Sequence, residues 1–205
     1  MKKSLHTFKI FLLLFVSGCF IANAQEQQLT VADEIATMME IWQKNTIPVE
    51  EHKALEYFAG EWNVDIKIWY ELDKPPFTSS GASSNSLILG GRYLLQKFNG
   101  SYANTFFDGM NITGYDTLKK VYRTFCIDSL GTSFNLMEGA CEKSGKICSY
   151  TGDWNDYIEK KKMKVKEIIT IIDQNKYVSE IYQISEAGEE IKTMEIIYTR
   201  KNEQD

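Results

Sequence analysis

The sequence predicts an all-β protein, an antiparallel up-and-down barrel of about ten strands preceded by two short α-helices. The first observation behind this is a strict alternation that begins after Gly60. Trp62, Val64, Ile66, Ile68 and Tyr70 fall on one side of a strand and Asn63, Asp65 and Lys67 on the other. The second is that strand-like segments then follow one another to the end of the chain, divided by turn-forming pairs such as Gly90-Gly91, Asn99-Gly100 and Ser144-Gly145. The third is physical: a sheet of about ten strands accumulates twist and carries edges that need protection, so closure is favoured over an open sheet or a sandwich.

Residues 1–24 read as a secretory signal peptide. Lys2, Lys3 and Lys9 form its positive region, Ile10 to Val16 its apolar core, and Ala22-Asn23-Ala24 its cleavage site. That apolar run is too short for a bilayer core of about 30 Å. A rival signal overlaps it: Val16-Ser17-Gly18-Cys19 resembles a lipobox, which would lipidate Cys19 and tether the protein to a membrane. It ranks second, because the residues after Cys19 stay apolar and continue into the Ala-x-Ala site. The expected location is therefore periplasmic or secreted, with membrane association only through Cys19.

Residues 25–47 form a helical extension. Thr30 is the expected N-cap, and Val31, Ile35, Met38, Met39 and Trp42 recur at helical spacing to make one apolar face. Residues 48–205 form the barrel domain. Pro48 opens a helix expected to run through Phe58, with Glu50 and Glu51 in its first turn, Leu55 and Phe58 on its apolar side, and Gly60 as its stop. Strands are expected at 61–70, 81–89, 92–101, 106–114, 120–127, 132–140, 146–154, 161–172, 176–184 and 190–200. In the run from Glu159 to Lys166 the alternating Lys160, Lys162, Lys164 and Lys166 read as the solvated outer face of a strand.

Charge and motifs narrow the chemistry. Loss of the signal removes three lysines and takes the net charge from −5 to −8, a poor match for nucleic acid, which calls for a basic stripe. No phosphate-cradling glycine motif and no Gly-x-Ser-x-Gly elbow is present. His52, the one histidine left after processing, pairs with Glu56 at helical spacing and reads as helix surface rather than as a metal ligand or proton-transfer group. Zinc lacks a Cys-x-x-Cys pair, and haem lacks a late-strand histidine, so neither metal nor cofactor is expected. Cys141 and Cys148 lie symmetrically about Ser144-Gly145, where a hairpin would set them opposite one another. They are either a disulfide or small core residues, and Cys126 is unpaired in both readings.

Candidate ligand-binding residues are Arg92, Tyr93, Tyr115, Tyr122 and Trp154. Arg92 is read either as part of a Gly-Gly turn or as an inward anchor for a carboxylate-bearing ligand. The tyrosines and Trp154 belong to an aromatic set spread over most strands, which lines a cavity or fills a core; alternation does not decide between the two.

The motifs Glu51-His52-x-x-Leu55-x-x-x-x-Gly60-x-Trp62, Leu89-Gly90-Gly91-Arg92, Gly114-Tyr115-Asp116, Asp128 with Gly131-Thr132, and Glu138-Gly139 resemble an uncharacterised bacterial family of exported domains with a lipocalin-like, or calycin, fold. The resemblance covers roughly residues 50 to 200. It implies a barrel around a ligand cavity, with Gly60 and Trp62 closing one end under Arg200 from the last strand. A guanidinium over an indole contributes about 0.5–2 kcal/mol. The resulting expectation is an exported binding protein for a small hydrophobic or amphipathic molecule, its oligomeric state unspecified. The alternative is a non-enzymatic module of the cell envelope that uses the helix from Val31 to Trp42 as its contact surface. An enzyme comes third, since it requires polar groups converging inside the barrel with perturbed titration.

Overall fold

The computed structural model describes residues 30–71, 73–102 and 105–201; the signal segment and Cys19 lie outside them. The chain divides between Ile47 and Pro48 into two compact units. In the first, α1 spans residues 30–45. Its end is marked by two side chains bonding back to carbonyls: Asn45 Nδ2 to Ile41 at 2.9 Å and Thr46 Oγ1 to Trp42 at 3.0 Å. Val31, Ile35, Met38, Met39 and Trp42 are each more than half exposed.

The second unit opens with α2 (Glu50–Lys53), which passes into a 3₁₀ turn at Ala54–Phe58. The single helix expected from Pro48 to Phe58 is thus two short pieces. The tighter 3₁₀ winding eclipses side chains three apart, which aims Leu55 and Phe58 the same way, into the barrel core. His52 is buried: its Nδ1 accepts the Val49 N–H at 3.0 Å, and its ring meets Tyr115 edge-on at 5.9 Å.

Ten strands follow: β1 (Gly60–Ile68), β2 (Phe77–Ile88), β3 (Tyr93–Tyr102), β4 (Thr105–Asp116), β5 (Val121–Asp128), β6 (Asn135–Cys141), β7 (Ile147–Asp156), β8 (Lys161–Asp173), β9 (Lys176–Ile184) and β10 (Glu190–Arg200). Each pairs antiparallel with its sequence neighbours, and β1 pairs with β10 to close the barrel. β1 stops at Ile68, where the chain turns toward β2, so Tyr70 is 65% exposed and takes no part in the inner face. Asp116, Asp128 and Asp156 end their strands in the same way, each carboxylate accepting two backbone N–H groups of the following turn. These bonds hold the Asp116 and Asp156 carboxyls below the usual range.

The register fixes what faces inward. Trp62, Val64, Ile66 and Ile68 are buried along β1, and across the closing seam they stand beside Arg200, Tyr198, Ile196 and Met194. One apolar cluster joins Leu55, Leu94, Tyr122, Met137, Cys148, Tyr150, Val165 and Ile181; a second gathers Val64, Ile66 and Ile68 against Phe77 and Phe98. Lys162, Lys164 and Lys166 alternate with these inward positions, and Lys166 meets Glu190 of β10 at 2.8 Å on the outside.

Candidate functional site

One end of the barrel is shut by its own N-terminal segment. Tyr57 donates to the carbonyls of Asp173 and Lys176, and Tyr122 donates to that of Glu51 at 2.9 Å. Trp62 is fully buried, and its indole N–H bonds the Phe58 carbonyl at 2.9 Å. The Arg200 guanidinium lies 4.1 Å from the Trp62 ring centroid and donates to the carbonyls of Ala59 and Tyr57 at 2.7 and 2.8 Å. Gly60 takes φ +114°, and a Cβ there would stand 2.8 Å from Arg200 Nη1, so this position requires glycine.

Behind this closure lies a cavity of about 40 Å³ lined by Gln96, Asn111, Thr113, Thr124, Tyr150, Glu167, Ile169, Tyr177, Ser179 and Tyr198. That is room for a few water molecules or one small polar group. Register places part of the wall: Gln96 and Asn111 are the middle pair of an inward row, Asn85, Gln96, Asn111 and Cys126, of successive partners across β2 to β5. A hydrogen-bond chain runs through the wall. Thr113 donates to Thr124 at 3.1 Å, Thr124 to Asn111, Asn111 to Gln96 at 3.2 Å, and Gln96 to the Tyr177 hydroxyl at 3.4 Å.

Glu167 is the charged residue type in this wall. Ser179 donates to its carboxyl at 2.6 Å. Burial pushes the carboxyl up, and the Ser179 bond only partly opposes that. Glu167 is half-buried and lines the cavity. Burial likewise raises Tyr150, Tyr177 and Tyr198, and it pushes the Cys126 thiol up to about 11.

The sequence-derived candidates fall elsewhere. Arg92 lies in the turn between β2 and β3, where its guanidinium donates to the Leu89 carbonyl at 3.3 Å. Leu89, Gly90 and Gly91 all take positive φ there, so the Gly-Gly-Arg motif is the chemistry of a sharp turn. Tyr93 stands on the outer face, 40% exposed, with its ring over Gly114. Tyr115 and Tyr122 face inward but pack under the helical closure, ring centroids 4.9 Å apart, and burial raises Tyr122 to about 12. Trp154 faces inward beside Met163, and its buried indole N–H has no hydrogen-bond partner among the described residues. Cys141 and Cys148 form a disulfide across the β6–β7 hairpin, and Cys126 is free. Among the described residues no three His, Cys, Asp or Glu side chains gather into a metal-binding group.

Glu167, Gln96 and Asn111 escape a reading of the sequence because an inward polar residue looks like an outward one. For Glu167 a signal exists: if Lys162, Lys164 and Lys166 face solvent, then Val165, Glu167 and Ile169 share the other face.

Fold and interior define a closed ten-stranded antiparallel β-barrel with a small polar chamber in its core. The chain belongs to the DUF1579 family of proteins of unknown function, whose model matches residues 47–200. No curated protein matches its sequence. A solved redesigned β-barrel resembles it at 14% identity and a TM-score of 0.38, over 73% of this chain and 96% of that one.

Proposed function

We propose that this is an exported binding protein whose barrel holds the polar end of a small amphipathic molecule. The chamber supports this reading. A barrel core serving stability alone is best filled with apolar side chains, since each buried polar group costs about 1–3 kcal/mol unless it is bonded. Here Gln96, Asn111 and Glu167 converge on one space between apolar layers. On the side away from the closure that space is followed by Phe98, whose ring lies over Gly81 and Gly100. A side-chain rotation there would admit an apolar tail beside Ile66 and Ile68. A wholly hydrophobic ligand fits the wall poorly, and the signal-peptide pattern read in residues 1–24 of the sequence supports export.

The test is native mass spectrometry of protein purified from its own host, with identification of any molecule released on denaturation. A stoichiometric amphiphile is the expected result. Protein that is empty, and that also fails to bind a fluorescent amphiphile, overturns the proposal in favour of an envelope interaction module. The exposed face of α1, with Met38 at 61% and Trp42 at 68%, is the observation behind that second reading.

A further inference from the structure

We infer that the polar group the chamber accepts is an ammonium, held by Glu167 among the tyrosines; this rests on the binding-protein reading above. The ionisable groups facing Glu167 are Cys126 from β5, Tyr150 from β7, Tyr177 from β9 and Tyr198 from β10. All are acids, and the wall contains no lysine, arginine or histidine. A carboxyl that takes one hydroxyl donor, from Ser179, keeps capacity for further donors. Tyr177 and Tyr198, stacked at 4.2 Å, line the same space and bring hydroxyl oxygens that can accept from an ammonium. The space of about 40 Å³ matches a single ammonium head.

Other ligand ends fare worse. A carboxylate would meet Glu167 with no cation in the wall, and Arg92, the candidate anchor for such a ligand, sits in a turn outside the chamber. A neutral hydroxyl can bond the carboxyl but gains no charge attraction from it. With an ammonium the balance is simple: the cation enters, any proton the Glu167 carboxyl still carries leaves to solvent, and a neutral ion pair remains in the chamber.

Calorimetric titration of the full chain with n-butylammonium, n-butanol and n-butyrate, each in two buffers of different ionisation enthalpy, tests this. Butylammonium is expected to bind at least about 10-fold more tightly than butanol, with butyrate weakest, and, because the cation favours the carboxylate, to release a fraction of a proton that grows as the pH is lowered toward the pKa of the free carboxyl. Glu167→Gln is expected to bring butylammonium down to the level of butanol while leaving butanol unchanged. Equal binding of butylammonium and butanol, proton release that does not grow as the pH is lowered, or a Gln variant that keeps the preference overturns the ammonium assignment and leaves the binding-protein reading standing. Proton release is read on the unaltered protein, so the assignment stays falsifiable even if the variant does not fold. Failure of all three probes while the host-purified protein carries a non-basic amphiphile also overturns the ammonium assignment alone. Failure of all three with an empty protein overturns both.

Discussion

Replacing Trp62 with alanine removes the most deeply buried large side chain in the barrel and unmakes its closing clasp. Trp62 is fully buried, it packs against Tyr177 at 4.8 Å, and it carries the Arg200 guanidinium at 4.1 Å. Truncating a buried tryptophan costs about 3–5 kcal/mol, and losing the cation–π contact adds about 0.5–2 kcal/mol. The lost N–H bond adds little, because the Phe58 carbonyl keeps a second donor, Asn85 Nδ2 at 2.9 Å. The expected total is about 3.5–7 kcal/mol, which for a domain of this size lowers the melting temperature by about 7–28 °C. Circular dichroism melts with urea unfolding at 25 °C measure it. Trp62→Phe, which keeps a ring but no N–H, is expected to lose only about 1–2 kcal/mol. If Trp62→Ala costs less than about 1 kcal/mol, the clasp does not stabilise the barrel and the argument fails.

Three further perturbations probe other parts. The Cys141–Cys148 disulfide closes a loop of sequence separation 7, so Cys141→Ser with Cys148→Ser is expected to cost about 2–3 kcal/mol; a melt unchanged by reductant refutes this. Glu167 has a folded pKa above its ordinary 4.5, so the native state holds its proton longer than the unfolded state does. Stability is then full below about pH 4.5 and falls as pH rises toward the folded pKa, by up to about 1.4 kcal/mol per pH unit; unfolding of Glu167→Gln across the same range is expected to lack that fall, and parallel curves contradict the assignment. Gly60→Ala forces a Cβ onto a positive φ and against Arg200, for an expected loss of about 1–3 kcal/mol; a variant as stable as the parent would contradict that geometry.

The barrel was readable in the sequence wherever the two faces of a strand differ in chemistry. β1 sets Trp62, Val64, Ile66 and Ile68 against Glu61, Asn63, Asp65 and Lys67, and both alternation and inward face follow at once. β9 and β10 begin and end where their turn residues imply. The chamber was not readable, because its strands carry polar residues on both faces. β2 turns Ser79, Ser83 and Asn85 inward and Ser80 and Ser84 outward, and no period distinguishes them without knowledge of the neighbours. Motifs misdirected attention for a related reason: Gly90-Gly91-Arg92 and Gly114-Tyr115-Asp116 are conspicuous because turns demand particular residues, whereas Gln96 and Glu167 do their work at ordinary strand positions. The break between α2 and the 3₁₀ turn depends on where the barrel end leaves room for Leu55 and Phe58, a tertiary fact that local propensity does not carry.

The seam between β1 and β10 orders the events of folding. Every other strand pairing joins neighbours along the chain and costs little loop entropy, but the bond from Arg200 to Ala59 spans 141 residues. Until the last strand arrives, the chain is an open sheet with both edges bare, and such edges invite pairing with other chains. A chain truncated before Glu190 therefore loses more than one strand's worth of stability: it is left in the aggregation-prone form that the complete barrel passes through only briefly.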